Sequence, residues 1–235
     1  MLLLWKDRQG GPIKVQAGNV GDSMAYICRL ASGPQSARGE QGSGSNTPPH
    51  QSFELEDEQF NESSRTEEAG KAHVSLPAVE SCVCLTRPHR LTMDYEKARL
   101  RAAGIPVEDG QSRLMGLAVV RSLGDRVFKE EYPKGVVAEP SVSEVVEVQP
   151  GEEALLVVGS DGLWDYLRWD LVMEVVVRAF LGQRASDDGL HEAAALGTGP
   201  GTQHSAIIRA MAGLVRKVEQ LTTDDFSIGI VRIKP

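Results

Sequence analysis

The chain is poor in several things that would point to particular classes of protein. Cysteine is scarce: three in 235 residues, Cys28, Cys82 and Cys84. That is too few, and an odd number, for the disulfide framework of a small secreted domain. Cys82 and Cys84 are two apart and would share a face of a strand, but no companion cluster of Cys and His accompanies them, so they read as small buried hydrophobes rather than metal ligands. Excess basic charge is also missing. Lys and Arg total 25 against 33 Asp and Glu, a formal charge of -8, which argues against a nucleic-acid or anionic-membrane surface. No apolar run approaches the roughly 20 residues of a spanning helix. The apolar start Met1-Leu2-Leu3-Leu4-Trp5 stops at Lys6-Asp7, too short for a signal core. The five histidines (50, 73, 89, 191 and 204) form no metal-ligand spacing. These absences lead to the expectation of a soluble, intracellular chain, cytoplasmic or nuclear, with no nucleic-acid or membrane partner.

What is present is an ordinary globular composition, 41% hydrophobic and 25% charged, in a chain long enough to bury a full core without disulfides. Residues 12–30 read as a hairpin. Ile13, Val15 and Ala17 alternate, Asn19-Val20-Gly21-Asp22-Ser23 supplies turn chemistry, and Met24, Tyr26 and Cys28 alternate again. Residues 32–71 are different material, with Gly-Ser-Gly-Ser at 42–45, Pro48-Pro49 and an acidic patch at 54–58. So few apolar residues cannot offset the entropy of ordering, and the stretch reads as a disordered, low-complexity insertion joining two strands. A short helix is expected over 95–103, stopped at Gly104. Valines at 142, 145, 146 and 148 suggest a strand, and Pro150-Gly151 a turn. The continuous apolar run 154–158 has the pattern of a strand buried on both faces. Helical spacing marks 171–181 and 205–221, with a Gly-rich loop between them, and Phe226, Ile228, Ile230 and Ile233 mark a closing strand. The order suggests an α+β fold with a mostly antiparallel sheet.

Two acidic spots could carry chemistry. Ser160-Asp161-Gly162 directly follows the buried strand, and Asp224-Asp225 directly precedes the closing one. If those strands are neighbours, Asp161 and Asp224 face one another at one rim. Hard divalent cations want fixed carboxylate oxygens, and two such ions about 3.5–4 Å apart can activate water and clamp a phosphoryl group. The plainer alternative is two ordinary turns, where Asp before Gly and Asp before a strand are both common.

Several stretches, in order, resemble the metal-dependent Ser/Thr protein phosphatases (the PPM, or type 2C, family). Asn19-Val20-Gly21-Asp22-Ser23 is similar to its Asn-x-Gly-Asp-Ser segment. Leu85-Thr86, His89, Glu96, Arg99-Leu100 and Ala103-Gly104 resemble Leu-Thr-x-Asp-His … Glu-x-x-Arg-Ile-x-x-Ala-Gly. The run from Gly116 to Asp125 is similar to Gly-Leu-Ala-x-x-Arg-Ser-x-Gly-Asp, and Ala138-Glu139-Pro140 resembles the segment after it. Ser160-Asp161-Gly162-Leu163-Trp164-Asp165 matches Ser-Asp-Gly-Leu-Trp-Asp without a gap, and Asp224-Asp225-Phe226-Ser227 resembles the terminal Asp-Asp-Ile-Thr. The resemblance implies a β-sandwich of two mostly antiparallel sheets flanked by α-helices. It implies a binuclear Mg or Mn centre to which Asp161 and Asp224 contribute, and hydrolysis of phosphoserine and phosphothreonine on proteins by a metal-activated water, with no phosphoenzyme.

The chain also departs from that pattern. None of Asp109-Gly110, Asp161-Gly162 and Asp188-Gly189 is followed by His-Gly-Gly, so the family's Asp-Gly-His-Gly-Gly motif is absent. Residues 1–235 thus resemble a partial domain, the C-terminal half to two-thirds, without the N-terminal strands. Pro88 stands where the family has an Asp that serves a third metal in some members. Asp22 and Asp165 read as turn or cap residues, Trp164 as core, His89 as structural, and Arg121 as the partner of a buried acid such as Asp125. The alternative function is a non-catalytic, pseudophosphatase-like binding or regulatory module. With part of the sandwich missing, edges and an apolar face would stand uncovered. The isolated chain is therefore expected to self-associate, which sedimentation would detect; a monomer that melts cooperatively would contradict it.

Overall fold

The computed structural model describes residues 1–31, 79–182 and 203–235, the last segment without the side chains of 203–205. The expected disordered stretch at 32–71 and the Gly-rich loop after residue 182 lie outside the described residues. Among the described residues, eight strands and five helices run in the order β1 (Leu2–Trp5), β2 (Ile13–Asn19), β3 (Met24–Leu30), β4 (Val79–Cys84), α1 (Asp94–Ala102), α2 (Arg126–Glu131), β5 (Ser141–Val142), β6 (Val146–Val148), β7 (Ala154–Gly159), α3 (Asp161–Trp164), α4 (Trp169–Phe180), α5 (Gln203–Glu219) and β8 (Ile228–Ile233). All ladders between these strands are antiparallel. They form two sheets, one in the order β1-β2-β5 with β6 also on β2, the other β4-β3-β7-β8. The expected sandwich with flanking helices is the fold observed.

Period-two alternation builds its layers. From the second sheet, Ala25, Ile27, Ala154, Leu156 and Ile233 face Val15, Ala17 and Val148 of the first and form the core between the sheets. The intervening residues Met24, Tyr26, Cys28, Leu155 and Val157 face the other way. There they pack with Val172, Met173, Val176 and Val177 of α4 and Ala210, Leu214 and Val218 of α5. β3 and β7 are thus apolar on both faces because both faces are covered. A third, smaller cluster holds Leu91, Leu100, Val107, Leu114 and Val120.

Two expectations need correction. Residues 12–30 are not a hairpin: β2 and β3 belong to different sheets, and Asn19–Ser23 is the corner between them. The alternation in each strand was real, but alternation does not name a strand's partner. The second concerns cysteine. Cys28 and Cys82 lie directly opposite on β3 and β4 and are joined by a disulfide, where Cys82 was read as a small buried hydrophobe; Cys84 remains free. The β3–β4 pairing does match the expectation that the long insertion joins two strands. β1 was not expected, having been read only as a failed signal core, yet it pairs with β2 from Leu2↔Ala17 to Trp5↔Lys14. α2 was missed because it buries no residue and so carries no apolar stripe.

Glu96 shows how the loop-rich 85–140 region is held. Its side chain is fully buried on α1, and its two carboxylate oxygens meet Arg99 at 2.5 Å and Arg121 at 2.6 Å. Arg121 does pair with a buried acid, but the acid is Glu96 and not Asp125, which sits in a left-handed conformation (φ 50°) before α2. Arg99 also donates to the carbonyls of Val120, Lys134 and Gly135. Removing one partner of a buried pair strands the other's charge. Glu96→Ala is expected to lower unfolding free energy by about 3 kcal/mol in urea titrations. A loss below about 1 kcal/mol would mean that those carbonyls suffice for the arginines.

Candidate metal and phosphate site at one rim

β7 ends at Gly159, and the chain turns at once into α3, whose first residue is Asp161. Two glycines make the turn possible. A Cβ on Gly159 would come 2.6 Å from Leu163 and 2.9 Å from Trp164, and one on Gly162 would come 2.5 Å from the Asp225 carbonyl oxygen. Backbone therefore packs on backbone where α3 meets the run into β8. Gly159 pairs with Ile228. Beyond that pair, Ser160 N–H donates to Ser227 O at 3.0 Å, and Ser227 N–H donates to Ser160 Oγ at 2.9 Å. The two strands are neighbours, as expected, and their ends bring the 160–162 and 224–227 segments to one rim.

The Asp161 carboxylate is half-exposed. Its Oδ1 accepts the Gly162 N–H at 2.9 Å, and its Oδ2 lies 3.6 Å from the Arg90 guanidinium. Asp224 is exposed at the start of the turn into β8, where its Oδ1 accepts the Asp225 N–H at 2.9 Å. Arg90 also reaches Asp22 at 2.8 Å and Asp165 at 2.9 Å. Asp22 and Asp165 are thus more than turn residues: Asp165 is the C-cap of α3, not an N-cap, and both acids ion-pair. Burial works against the charge on Arg90, but Asp165 and Asp22 outweigh it and hold the guanidinium above its ordinary value. Burial raises the Asp165 carboxyl, Arg90 opposes that, and the neighbouring Asp161 and Asp22 add to the rise. Trp164 is core, as expected; its indole N–H is shared between the carbonyls of Met24 and Gly159.

His89 is structural. It is fully buried, its Nδ1 accepts the Gly21 N–H at 3.1 Å, and its Nε2 lies 2.7 Å from Ser141 Oγ. With Nδ1 accepting, the neutral ring carries its proton on Nε2 and donates to Ser141. Asn19 holds the same stretch, its side-chain amide donating to the Arg87 carbonyl at 2.6 Å. Tyr95 OH donates to the Pro88 carbonyl. Arg90 itself was not weighed from sequence. The one available signal was that it follows His89 in a stretch already singled out, and no spacing rule links it to acids that far along the chain.

Among the described residues no three His, Cys, Asp or Glu side chains are arranged to hold a metal ion. The donor chemistry of Asp161 and Asp224 nonetheless fits a hard divalent cation. Both are carboxylates open to solvent at one rim, able to serve as two oxygen ligands with water completing the shell.

The family model described as protein phosphatase 2C matches residues 69–199. The chain belongs to the protein phosphatase 2C family. A probable protein phosphatase of Dictyostelium discoideum is 28% identical over 180 residues, which are 75% of this chain and 14% of that protein. Protein phosphatase 2C 70 of Arabidopsis thaliana is 33% identical over 95 residues, 40% of this chain and 16% of that protein. The chain therefore spans only a small part of the length of these curated relatives. A solved serine-threonine phosphatase 2C from Toxoplasma gondii aligns with 95% of this chain and 57% of its own, at 16% identity and a TM-score of 0.47. Asp161, Arg90 and His89 lie inside the family match, and Asp22 and Asp224 outside it. Among the described residues no helix is long and apolar enough to cross a membrane.

The buried imidazole predicts a pH dependence. Burial, with Arg121 nearby, lowers the His89 pKa from 6.5 to about 4. Above pH 6.5 the ring is neutral in both the folded and the unfolded chain. As pH falls toward 4 the unfolded chain takes up the proton first, so stability is lost over that window, by as much as about 3 kcal/mol. Denaturation at pH 7 and pH 4.5 should show a smaller loss in His89→Asn than in the parent; equal losses would contradict the assignment.

Proposed function

We propose that this protein hydrolyses phosphoserine and phosphothreonine on proteins, using water activated at a binuclear Mg or Mn centre, with Asp161 and Asp224 as ligands. The observation that carries the reading is the Ser160-Asp161-Gly162 turn, packed by backbone contact against the segment that follows Asp224 within a chain of this family. When bound, the ions supply Lewis acidity toward phosphoryl oxygens and a lowered pKa for water. The chain's own part is positional. β7 and β8 fix the two carboxylates at one rim, the Gly162 N–H orients one oxygen of Asp161, and the Arg90 cluster balances the charge behind it. The substrates on this reading are cytoplasmic or nuclear phosphoproteins. The 32–71 segment is proposed as an insertion within the 1–235 partial domain.

A second reading is favoured by a specific contact. Arg90 already neutralises part of the charge on Asp161, and Pro88 precedes it where the family pattern has a carboxylate. Both features suit a non-catalytic module of the same fold. p-Nitrophenyl phosphate with added Mn separates the two readings. The catalytic reading expects a weak, Mn-dependent rate that Asp161→Ala lowers by about a hundredfold or more, since metal charge stabilisation is worth several kcal/mol. A Mn-dependent rate no higher than that of the variant would reject catalysis by this chain and leave the module.

A further inference from the structure

One guanidinium answers three carboxylates at the end of β7. Arg90 Nε lies 2.8 Å from Asp22 Oδ2, one terminal nitrogen 2.9 Å from Asp165 Oδ1, and the other 3.6 Å from Asp161 Oδ2. The acids come from separate places: the corner between β2 and β3, and the two ends of α3. Nothing but Arg90 is common to all three pairs. A planar fork with donors pointing several ways suits this task, where an ammonium would satisfy fewer partners.

Arg90 is also well anchored. His89 N–H donates to the Gly21 carbonyl at 2.9 Å, Leu91 N–H to the Ala118 carbonyl at 3.0 Å, and Arg90 itself bridges to Val119. Its backbone is held from both sides, so only the side chain can yield. The Asp161 carboxylate meets both neighbours: Oδ1 accepts the Gly162 N–H at 2.9 Å, and Oδ2 lies 3.6 Å from the guanidinium, longer than a hydrogen bond but close enough for charge to act.

We propose that Arg90 is the resident cation of the Asp22–Asp161–Asp165 cluster and sets how tightly a divalent ion is held at Asp161, because its positive charge beside Asp161 Oδ2 opposes the approach of a second cation. The inference rests on the reading of Asp161 as a metal ligand and adds to it the residue that opposes the metal. Arg90 is a positioning residue, since it acts on the site through Asp161.

The test is Mn²⁺ binding by isothermal titration calorimetry to the parent chain, Arg90→Gln, Arg90→Lys and Asp161→Ala. Removing a cation from this half-buried distance is expected to tighten Mn²⁺ binding about tenfold in Arg90→Gln. Arg90→Lys, which keeps the charge, is expected to stay near the parent, and Asp161→Ala to lose binding. Measurable binding that is equal or weaker in Arg90→Gln would overturn the inference alone. No Mn²⁺ binding by any form would overturn it together with the metal reading of Asp161. A second measurement does not depend on a variant folding. The Arg90 guanidinium resonances of the parent are expected to shift as Mg²⁺ saturates the chain, since the ion arrives beside the nitrogen that faces Asp161. Guanidinium resonances that stay in place through saturation would overturn the opposition between Arg90 and the ion.

Discussion

β7 has to satisfy two cores at once, and much of the molecule follows from that. Ala154 and Leu156 serve the layer between the sheets, while Leu155 and Val157 serve the layer under α4 and α5. A strand so placed cannot carry a polar side chain without burying it unpaired. The first polar residues after Glu153 are therefore Ser160 and Asp161, where the strand leaves the sheet. The rim is the earliest position at which this part of the chain can hold chemistry. Gly159 and Gly162 then let α3 fold back tightly enough for Trp164 to close the end of the helix-side core with its indole N–H satisfied.

How legible an element was depended on whether its signal was local. β7, α4, α5 and β8 each carry an uninterrupted period, and the structure places them within a few residues of where that period runs. The corner at Asn19–Ser23 misled because two alternating segments around turn residues look like a hairpin whichever sheets they join. A usable clue was present. Ala25 and Ile27 are apolar as well as Met24, Tyr26 and Cys28, so β3 is apolar on both faces and belongs in a layer covered on both sides. β2 lacks that feature, with Lys14, Gln16 and Asn19 along it. The Cys28–Cys82 pairing was hidden for a related reason: the two residues are 54 apart, and only the β3–β4 register sets them opposite.

The site divides along the same line. Asp161 and Asp224 could be picked out because each sits next to a strand whose pattern is strong. Placing both at one rim needs one further assumption, that β7 and β8 are neighbours, and the ladder from Ala154↔Ile233 to Gly159↔Ile228 shows that pairing. The partners of Arg90 and Arg121 could not be found this way. A long flexible side chain can reach acids on several elements, and nothing local in the sequence names which it meets. Glu96, fully buried, draws in both Arg99 and Arg121; Asp125, exposed on a turn, draws in neither.

The two networks meet in the segment from Leu85 to Leu91. Thr86 Oγ1 accepts the Ala25 N–H, His89 holds Gly21 and Ser141, and Asn19 holds the Arg87 carbonyl. The segment that delivers Arg90 is therefore tied to the same corner that delivers Asp22, and α3 supplies the remaining two acids. With three carboxylates and one guanidinium the cluster keeps a net charge of -2 when all four groups are ionised. That residue of charge is what distinguishes the cluster from Glu96 and its two arginines, where positive charge is in excess and nothing is left to attract a cation. On the proposed reading of Asp161 as a metal ligand, the same guanidinium that pairs these acids would oppose the arriving ion.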